Sequence, residues 1–132
     1  MKKKVLSMLI TFAMLFSMLP ATALAVEGEG TIINLSGGSC TIENAGKYAV
    51  SEYSGANTLT VKADATITLE GVNITAADDT SAISIESGSV TLIVDDDSTL
   101  IGGDNGAGIY VAEDASVTIQ SKNNAKLTAI GN

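Results

Sequence analysis

Four short words of one pattern recur along this chain. They read CTIEN, ITLEG, VTLIV and VTIQS, and they begin at Cys40, Ile67, Val90 and Val117. Each word has an apolar residue, then Thr, then another apolar residue, and the words start at nearly equal intervals along the chain. Recurrence of this kind is typical of folds in which each repeat stacks on the next. The interval therefore constrains the fold more than any other feature of the sequence.

Two further groups of short alternating runs flank these words, which we call group b. Group a comprises residues 32–35, 58–61, 82–85 and 108–111, and group c comprises residues 47–50, 73–75, 99–101 and 126–128. Gly, Asn, Asp and Ser, which favour turns, separate the groups. The order a-b-c thus occurs four times, with a period of about 26 residues.

Alternation within each run places one set of side chains inward and the other outward. In group b the expected inward stacks are Cys40, Ile67, Val90, Val117 and Ile42, Leu69, Leu92, Ile119, with the ladder Thr41, Thr68, Thr91, Thr118 facing outward. In group a the expected inward stacks are Leu59, Ile83, Ile109 and Val61, Ile85, Val111. The pattern predicts an all-β chain over residues 26–132, a right-handed single-stranded parallel β-helix of about four coils with three short strands per coil. A β-sandwich is the alternative, but it requires no register between words one period apart.

Residues 1–25 have the features of a signal peptide. Lys2, Lys3 and Lys4 precede an apolar run over residues 5–19, and Ala23-Leu24-Ala25 matches the small residues of a cleavage site. A membrane anchor is the alternative, but the run is shorter than the roughly 20 residues that a spanning helix needs. The sequence predicts a secreted protein without a membrane insertion once residues 1–25 are removed.

The charge of the remaining chain is strongly negative. The whole sequence carries a net charge of −8, and residues 26–132 keep four lysines against all 15 acidic residues, a net charge of −11. Such a surface repels nucleic acid and anionic lipid and attracts cations. All the basic residues are lysines, and there is no histidine.

Cys40 is the only cysteine of the chain, so no internal disulfide is available. Because it occupies a position equivalent to Ile67, Val90 and Val117 in the expected stack, we interpret it as a small apolar residue of the core rather than as a reactive thiol.

Acidic residues of two successive turns are expected to stack. Asp78 and Asp79 follow one group c run, and Asp104 and Asn105 follow the next at the equivalent positions, one period later. Strands of neighbouring coils are about 4.8 Å apart, so a hard cation such as Ca²⁺ would relieve the repulsion between the carboxylates. The alternative is an ion-free pair of turns, since Asp and Asn are common turn residues. The run 95–97 is interpreted as a solvated edge.

A strip of outward side chains on the group a strands is the candidate ligand surface. Tyr110 aligns with Thr60 and Ser84, and Lys62 lies beside Glu86 one coil later. This flat polar strip suits a glycan chain, although an exposed Tyr is also common on strands, and Lys62 and Glu86 suit a simple ion pair. The outward Thr ladder of group b admits an ice-binding face as a further alternative.

Catalysis is not expected. β-Elimination by a polysaccharide lyase would use an Arg or Lys base, and the chain has no Arg. Glycoside hydrolysis requires two carboxylates roughly 5–9.5 Å apart across a cleft. Asp78 and Asp104 would meet that distance, but no coil has an insertion long enough to wall a cleft.

The stretches ITLEGVNITAADDTSAISIESGSVTLIV and GAGIYVAEDASVTIQ resemble those of secreted β-helix proteins of clostridia and related Gram-positive bacteria. Over residues 57–132 the chain resembles the carbohydrate-binding β-helix family, and it is equally similar to repeat regions of Gram-positive surface proteins and adhesins. The first resemblance implies calcium and acidic plant polysaccharide as ligands at the cell surface. The turn pattern allows the calcium sites to be carried over only to Asp78, Asp79, Asp104 and Asn105.

Two further expectations concern the length of the whole protein and its self-association. The resemblance implies more coils than four, so the chain is expected to be an N-terminal piece of a longer protein. The final coil carries Val117, Ile119, Leu127 and Ile130, and an uncovered final coil would present an apolar end with unpaired backbone groups. Self-association through that end is therefore expected, and a structural or adhesive repeat is the alternative to a polysaccharide-binding protein.

Overall fold

The computed structural model of the chain describes residues 25–26 and 30–132. These residues form 14 strands and one short 3-10 helix, Leu35–Gly37. The strands are β1 (Ala25–Val26), β2 (Gly30–Ile33), β3 (Cys40–Ile42), β4 (Gly46–Val50), β5 (Tyr53–Gly55), β6 (Leu59–Val61), β7 (Ala65–Glu70), β8 (Val72–Thr75), β9 (Ile83–Ile85), β10 (Gly88–Asp96), β11 (Ser98–Ile101), β12 (Ile109–Val111), β13 (Ala115–Ser121) and β14 (Leu127–Ile130). The predicted signal peptide lies outside the described residues except for Ala25, which belongs to β1.

The strands pair into three sheets. Sheet 1 has the order β1-β2-β4-β7-β10-β13, sheet 2 has the order β12-β9-β6-β3, and sheet 3 has the order β14-β11-β8-β5. Only β1 and β2 pair antiparallel; the other described pairs are parallel. The chain is therefore all-β with parallel sheets, as predicted.

From β3 onward the chain visits the sheets in a fixed order. It passes through sheet 2, then sheet 1, then sheet 3, and each strand pairs with the strand three elements later. Parallel pairing requires such a crossover, because a tight hairpin joins only antiparallel strands. This path is β-helix-like, and the grouping of β6 to β14 agrees with groups a, b and c of the sequence.

The first part of the chain differs from the expected grouping. The strand at Cys40–Ile42 pairs with β6 in sheet 2, so it is equivalent to group a and not to group b. The strand Gly46–Val50 pairs with β7 in sheet 1, not in the sheet of group c, and Gly30–Ile33 pairs beside it. The predicted groups were therefore wrong for residues 32–35, 40–42 and 47–50, since each run belongs to the sheet of a neighbouring group. The cause is that the first repeat is shorter than the others. The segment from Cys40 to its partner Leu59 is shorter than the segment from Leu59 to its own partner Ile83.

The register between β7 and β10 also differs from the expected one. Val90 pairs with Ala65 and Leu92 pairs with Ile67, whereas the sequence words placed Val90 on Ile67. The pairing of β10 with β13 is as expected, with Val90 on Val117. The outward ladder on sheet 1 is consequently Lys47, Thr66, Thr91, Thr118, and the expected ladder that included Thr41 and Thr68 was wrong. Thr41 lies instead beside Thr60 in sheet 2, so the four-Thr row proposed for ice binding does not form.

The core lies between the three sheets and consists of aliphatic side chains. Ile67, Leu92 and Val61 are completely buried, as are their neighbours on the same inner faces. The 3-10 helix brings Leu35, which is 1 % exposed, against the first strands of the core. Asn34 caps this helix, because its side-chain oxygen accepts a hydrogen bond of 2.9 Å from the backbone N–H of Ser36.

Burial decreases along the stack toward β12, β13 and β14. Val111 is 36 % exposed and Ile119 is 50 % exposed, whereas Ile85 and Leu92, their partners on the preceding strands, are fully buried. Ile130 on β14 is 43 % exposed, and it lies on the outer face of sheet 3 beside Ile101. Within residues 25–26 and 30–132, no helix is long and apolar enough to cross a membrane.

Candidate functional site

The outer face of sheet 2 carries the side chains that the sequence assigned to a ligand surface. Tyr110 pairs with Ser84, and Ser84 pairs with Thr60, so the three side chains lie in one row across β12, β9 and β6. Neighbouring strands in a sheet are about 4.8 Å apart, which places about 10 Å between the two ends of the row. Tyr110 is 49 % exposed, and its ring stands at the open end of the row. The three side chains are therefore aligned as the sequence predicted.

Lys62 and Glu86 lie immediately beyond the ends of β6 and β9 and form an ion pair. The Lys62 Nζ is 3.4 Å from a Glu86 carboxylate oxygen, and both side chains are about half exposed. The backbone N–H of Glu86 continues the sheet by donating to Val61 O at 2.8 Å. An exposed pair of this kind stabilises a fold by less than about 1 kcal/mol, so both side chains are available to exchange partners with a ligand.

The two acidic turns lie against each other, as their spacing of one period predicts. The backbone N–H of Asp79 donates to Asp104 O at 2.7 Å, and the Asn105 side-chain amide donates to an Asp79 carboxylate oxygen at 3.2 Å. All four candidate side chains, including Asp78, are exposed. The structure therefore brings the four predicted residues together on one surface corner.

Both turns have the same backbone conformation. Asp79 has φ 59° and Asn105 has φ 62°. In each turn the backbone N–H of the fourth residue donates a hydrogen bond to the carbonyl oxygen of the first. A left-handed third residue is typical of a type II turn, and Asn and Asp tolerate this conformation better than most residues with a side chain. Gly103 and Gly106 are buried where the second turn packs on the backbone of the first. This close packing fixes the spacing between the backbones of the two turns.

A second acidic region lies at the corner between sheets 1 and 3. Glu52, Glu70 and the run 95–97 line an open groove of about 890 Å³ there. Asp95 lies at a bulge of β10, pairs with Lys122 at 3.3 Å and accepts a hydrogen bond from Asn123 at 2.9 Å. The carboxylate of Asp97 accepts a hydrogen bond of 2.8 Å from the backbone N–H of Lys126. Asp95 and Asp97 thus hold the next repeat, a role that their interpretation as a solvated edge did not include.

No group of three or more His, Cys, Asp or Glu side chains among residues 25–26 and 30–132 is arranged to hold a metal ion. The stacked turns offer two carboxylates from one turn, one carboxylate and one amide from the next, and backbone carbonyls. Calcium accepts this type of oxygen ligand, including carbonyls and water, so the donor chemistry of the turns fits the ion.

Cys40 lies at the first strand of sheet 2 and packs partly against the core. Burial raises the pKa of its thiol, which keeps the sulfur protonated at neutral pH. Its partner is Leu59 and not Ile67, but the interpretation as a small apolar residue agrees with this position.

Sequence reasoning missed a polar depression on the outer face of sheet 1, lined by Lys47, Ala49, Ile93 and Lys122 among others. The residues from β4 had been assigned to sheet 3, so their proximity to Ile93 was not visible. The signal that would have found it is the alignment of Lys47 with Thr66, which follows once the shorter first repeat is recognised.

Comparisons of the chain with protein-family models, with curated proteins and with solved structures found no match.

Proposed function

We propose that this protein is a secreted or cell-surface, non-catalytic β-helix that binds polysaccharide with the help of calcium. The proposed fold is a right-handed parallel β-helix of about four coils, and the proposed location is the extracellular surface of a Gram-positive bacterium. The parallel sheets and the fixed order in which the chain visits them support the fold. The apolar run and the cleavage-site residues at the start of the sequence support secretion.

The observation that carries the proposal is the row Thr60, Ser84, Tyr110 beside the Lys62–Glu86 pair. The row offers three hydroxyls, one of them on a half-exposed aromatic ring, and the pair adds a donor and an acceptor at its side. Sheet pairing holds these groups on a regular spacing, which suits a ligand that is itself an extended chain of similar units. Sugar chains have this character, with hydroxyls along the edges of each ring.

We also propose that the protein catalyses no reaction on the polysaccharide. The chain offers no His or Arg to act as a base, and Lys62 is paired with Glu86. The carboxylates of Asp78 and Asp104 lie on an exposed corner, where water competes with any substrate. A polysaccharide lyase is a further alternative, and product analysis separates it from a binding protein.

A glycan-retention experiment tests the binding function. We expect the protein to be retarded in native gels that contain polygalacturonate with calcium, and to release neither new reducing ends nor unsaturated sugars. Tyr110→Ala should raise the apparent Kd about fivefold, because part of an aromatic contact of about 1 kcal/mol is lost. Ile101→Thr, on the outer face of sheet 3, is the matched control and should leave retardation unchanged.

Release of cleaved sugar would refute the non-catalytic assignment. Equal effects of Tyr110→Ala and Ile101→Thr on the retardation would show that sheet 2 is not the ligand surface.

Calcium is proposed to bind at Asp78, Asp79, Asp104 and Asn105. Acidic polysaccharide and a domain with a net charge of −11 repel each other, so a cation between them would favour binding. The contact between Asp79 and Asn105 supports the site, because it shows that side chains of both turns reach one point.

Calcium should raise the melting temperature of the protein. A ligand at 100 times its Kd stabilises the folded state by about 2.7 kcal/mol, and millimolar calcium is expected to act in this way. Asp104→Ala should abolish the increase, whereas Asp114→Ala, which changes the same charge elsewhere, should preserve it. A melting curve that millimolar calcium leaves unchanged would rule out the metal site.

A structural or adhesive repeat is the alternative function, and the exposed apolar side chains of the last strands favour it. Val111, Ile119 and Ile130 are each at least 36 % exposed, and β12, β13 and β14 each pair on one side within the described residues. Such an edge is a template for pairing with another chain, so self-association through these strands is part of this alternative. Concentration-dependent association in light scattering, without retention by any glycan, would favour the alternative.

A further inference from the structure

The outer face of sheet 1 contains a depression that is separate from the row on sheet 2. It has a volume of about 180 Å³ and is lined by residues of β4, β7, β10 and the segment after β13. Three strand spacings of about 4.8 Å make it about 14 Å across. Its length suits a short polymer segment rather than a single ion.

The floor of this depression combines polar and apolar side chains of one outward row. The row that crosses it consists of Ile32, Ala49, Thr68, Ile93 and Gln120. These side chains alternate with inward ones such as Ile67 and Leu69, so the row belongs to the outside of the sheet. Ala49 is only 3 % exposed, because larger neighbours in the row surround its methyl group. Ala49 is therefore covered, and the partly buried Ile93 is the aliphatic side chain that a ligand in the depression can contact.

Polar side chains border the floor on both sides. Lys47 and Thr66 lie on one side, and Glu70, Asp95 and Lys122 lie on the other. Two of the four lysines of residues 26–132 thus line one depression, together with two carboxylates. The border is electrically balanced within a domain whose net charge is −11.

These features select the chemistry of a ligand. The backbone groups of β7 and β10 are bonded to their neighbouring strands, so an extended peptide cannot add to the sheet here. Recognition must come from side chains, with Ile93 for one apolar face of the ligand and donors and acceptors for its edges. A sugar ring has an apolar face of C–H groups and a rim of hydroxyls. The balanced border favours a neutral sugar, because the surrounding negative charge repels an anionic one.

We infer that the outer face of sheet 1 binds a neutral oligosaccharide, with a sugar ring lying on Ile93 and hydroxyls bonded to Lys47, Thr66 and Asp95. This inference rests on the proposed function, since it assumes a glycan-binding domain, but it assigns a second surface and a second ligand class. Acidic polysaccharide then binds on sheet 2 with calcium, and neutral polysaccharide binds on sheet 1 without it.

Isothermal titration of the purified protein with cellohexaose, xylohexaose and maltohexaose, in the presence of a calcium chelator, tests the inference. At least one neutral hexasaccharide should bind. Ile93→Thr should raise its Kd about fivefold, because the floor loses apolar contact area. Thr is a good strand residue, so the fold should persist, and the melting temperature checks this. Ile101→Thr makes the same change on the outer face of sheet 3 and should leave the Kd unchanged, as should Tyr110→Ala.

The outcomes separate this inference from the proposed function. Loss of neutral-sugar binding in Tyr110→Ala but not in Ile93→Thr would overturn the inference and leave the sheet 2 surface in place. Retention of polygalacturonate without binding of any neutral hexasaccharide would also overturn the inference and leave the sheet 2 surface in place. Thr66→Ala provides a second check, because removing a border hydroxyl should weaken binding without changing the floor; an unchanged Kd in both Thr66→Ala and Ile93→Thr would also overturn it.

Discussion

Replacement of Leu92 by Ala is expected to lower the free energy of unfolding by about 2–5 kcal/mol, because it leaves a cavity in the centre of the stack. Leu92 is fully buried on β10, between Ile67 on β7 and Ile119 on β13. Small domains are stable by only about 5–15 kcal/mol, so this loss is a large part of the total. Urea denaturation followed by circular dichroism measures it.

Ile119→Ala is the matched control, since it removes a similar side chain from the same row. Ile119 is 50 % exposed, so its loss should cost about 1 kcal/mol or less. Equal destabilisation by the two substitutions would mean that Ile119 is covered in solution, which would favour self-association through the last strands.

Gly103→Ala should also destabilise the protein strongly. A Cβ at Gly103 would overlap the backbone carbonyl of Ala77 in the turn of the preceding repeat, and Gly103 is buried, so the two turns would have to separate. Overpacking of this kind costs about 1–3 kcal/mol, and more where backbone atoms are in contact. Thermal melting measures the effect, and calcium should recover little of it, because the proposed calcium ligands are displaced together with the turn.

Gly37→Ala is the control for this substitution. A Cβ at Gly37 has no neighbouring atom within 4 Å, and its φ is not in the left-handed region. The melting temperature should change little or rise slightly, because Ala restricts the unfolded chain more than Gly does. A similar decrease for both glycine substitutions would contradict the close packing of the two turns.

The sequence predicted the sheets of β6 to β14 because the alternation and the turn residues recur there at similar intervals. It misplaced the first strands because an apolar-Thr-apolar word fits the outer face of any of the three sheets. The word at Cys40 matched the one at Ile67 by composition, while the shorter first repeat pairs Cys40 with Leu59. So short a word identifies a strand but not the sheet to which it belongs.

The register error between β7 and β10 has a different cause. Side chains alternate along a strand, so a shift by a single position exchanges the faces but a shift by two positions preserves them. Placing Val90 on Ile67 and placing it on Ala65 are therefore equally compatible with the pattern. The observed register is accompanied by a hydrogen bond of 2.8 Å, which the backbone N–H of Ser89 donates to the Asp64 carboxylate.

The candidate sites differ in how far they could be predicted. The row Thr60, Ser84, Tyr110 and the stacked turns of Asp79 and Asn105 were visible, because their repeats have nearly equal length. The depression on sheet 1 was not, because it combines β4 with β7 and β10, and both of those relations had been misassigned. Errors in register thus affect the prediction of a surface more than that of the core, where any aliphatic partner is acceptable.

Both proposed ligand surfaces depend on parallel, in-register stacking of successive repeats, and NMR contacts between backbone protons test this most directly. In a uniformly labelled sample, the backbone protons of Thr91 should show NOE contacts with those of Thr66 on one side and Thr118 on the other. Contacts between Thr91 and Thr68 would instead show the register that the sequence words suggest. Contacts of the antiparallel type, or none between the equivalent strands of successive repeats, would contradict the stacked arrangement from which both surfaces are derived.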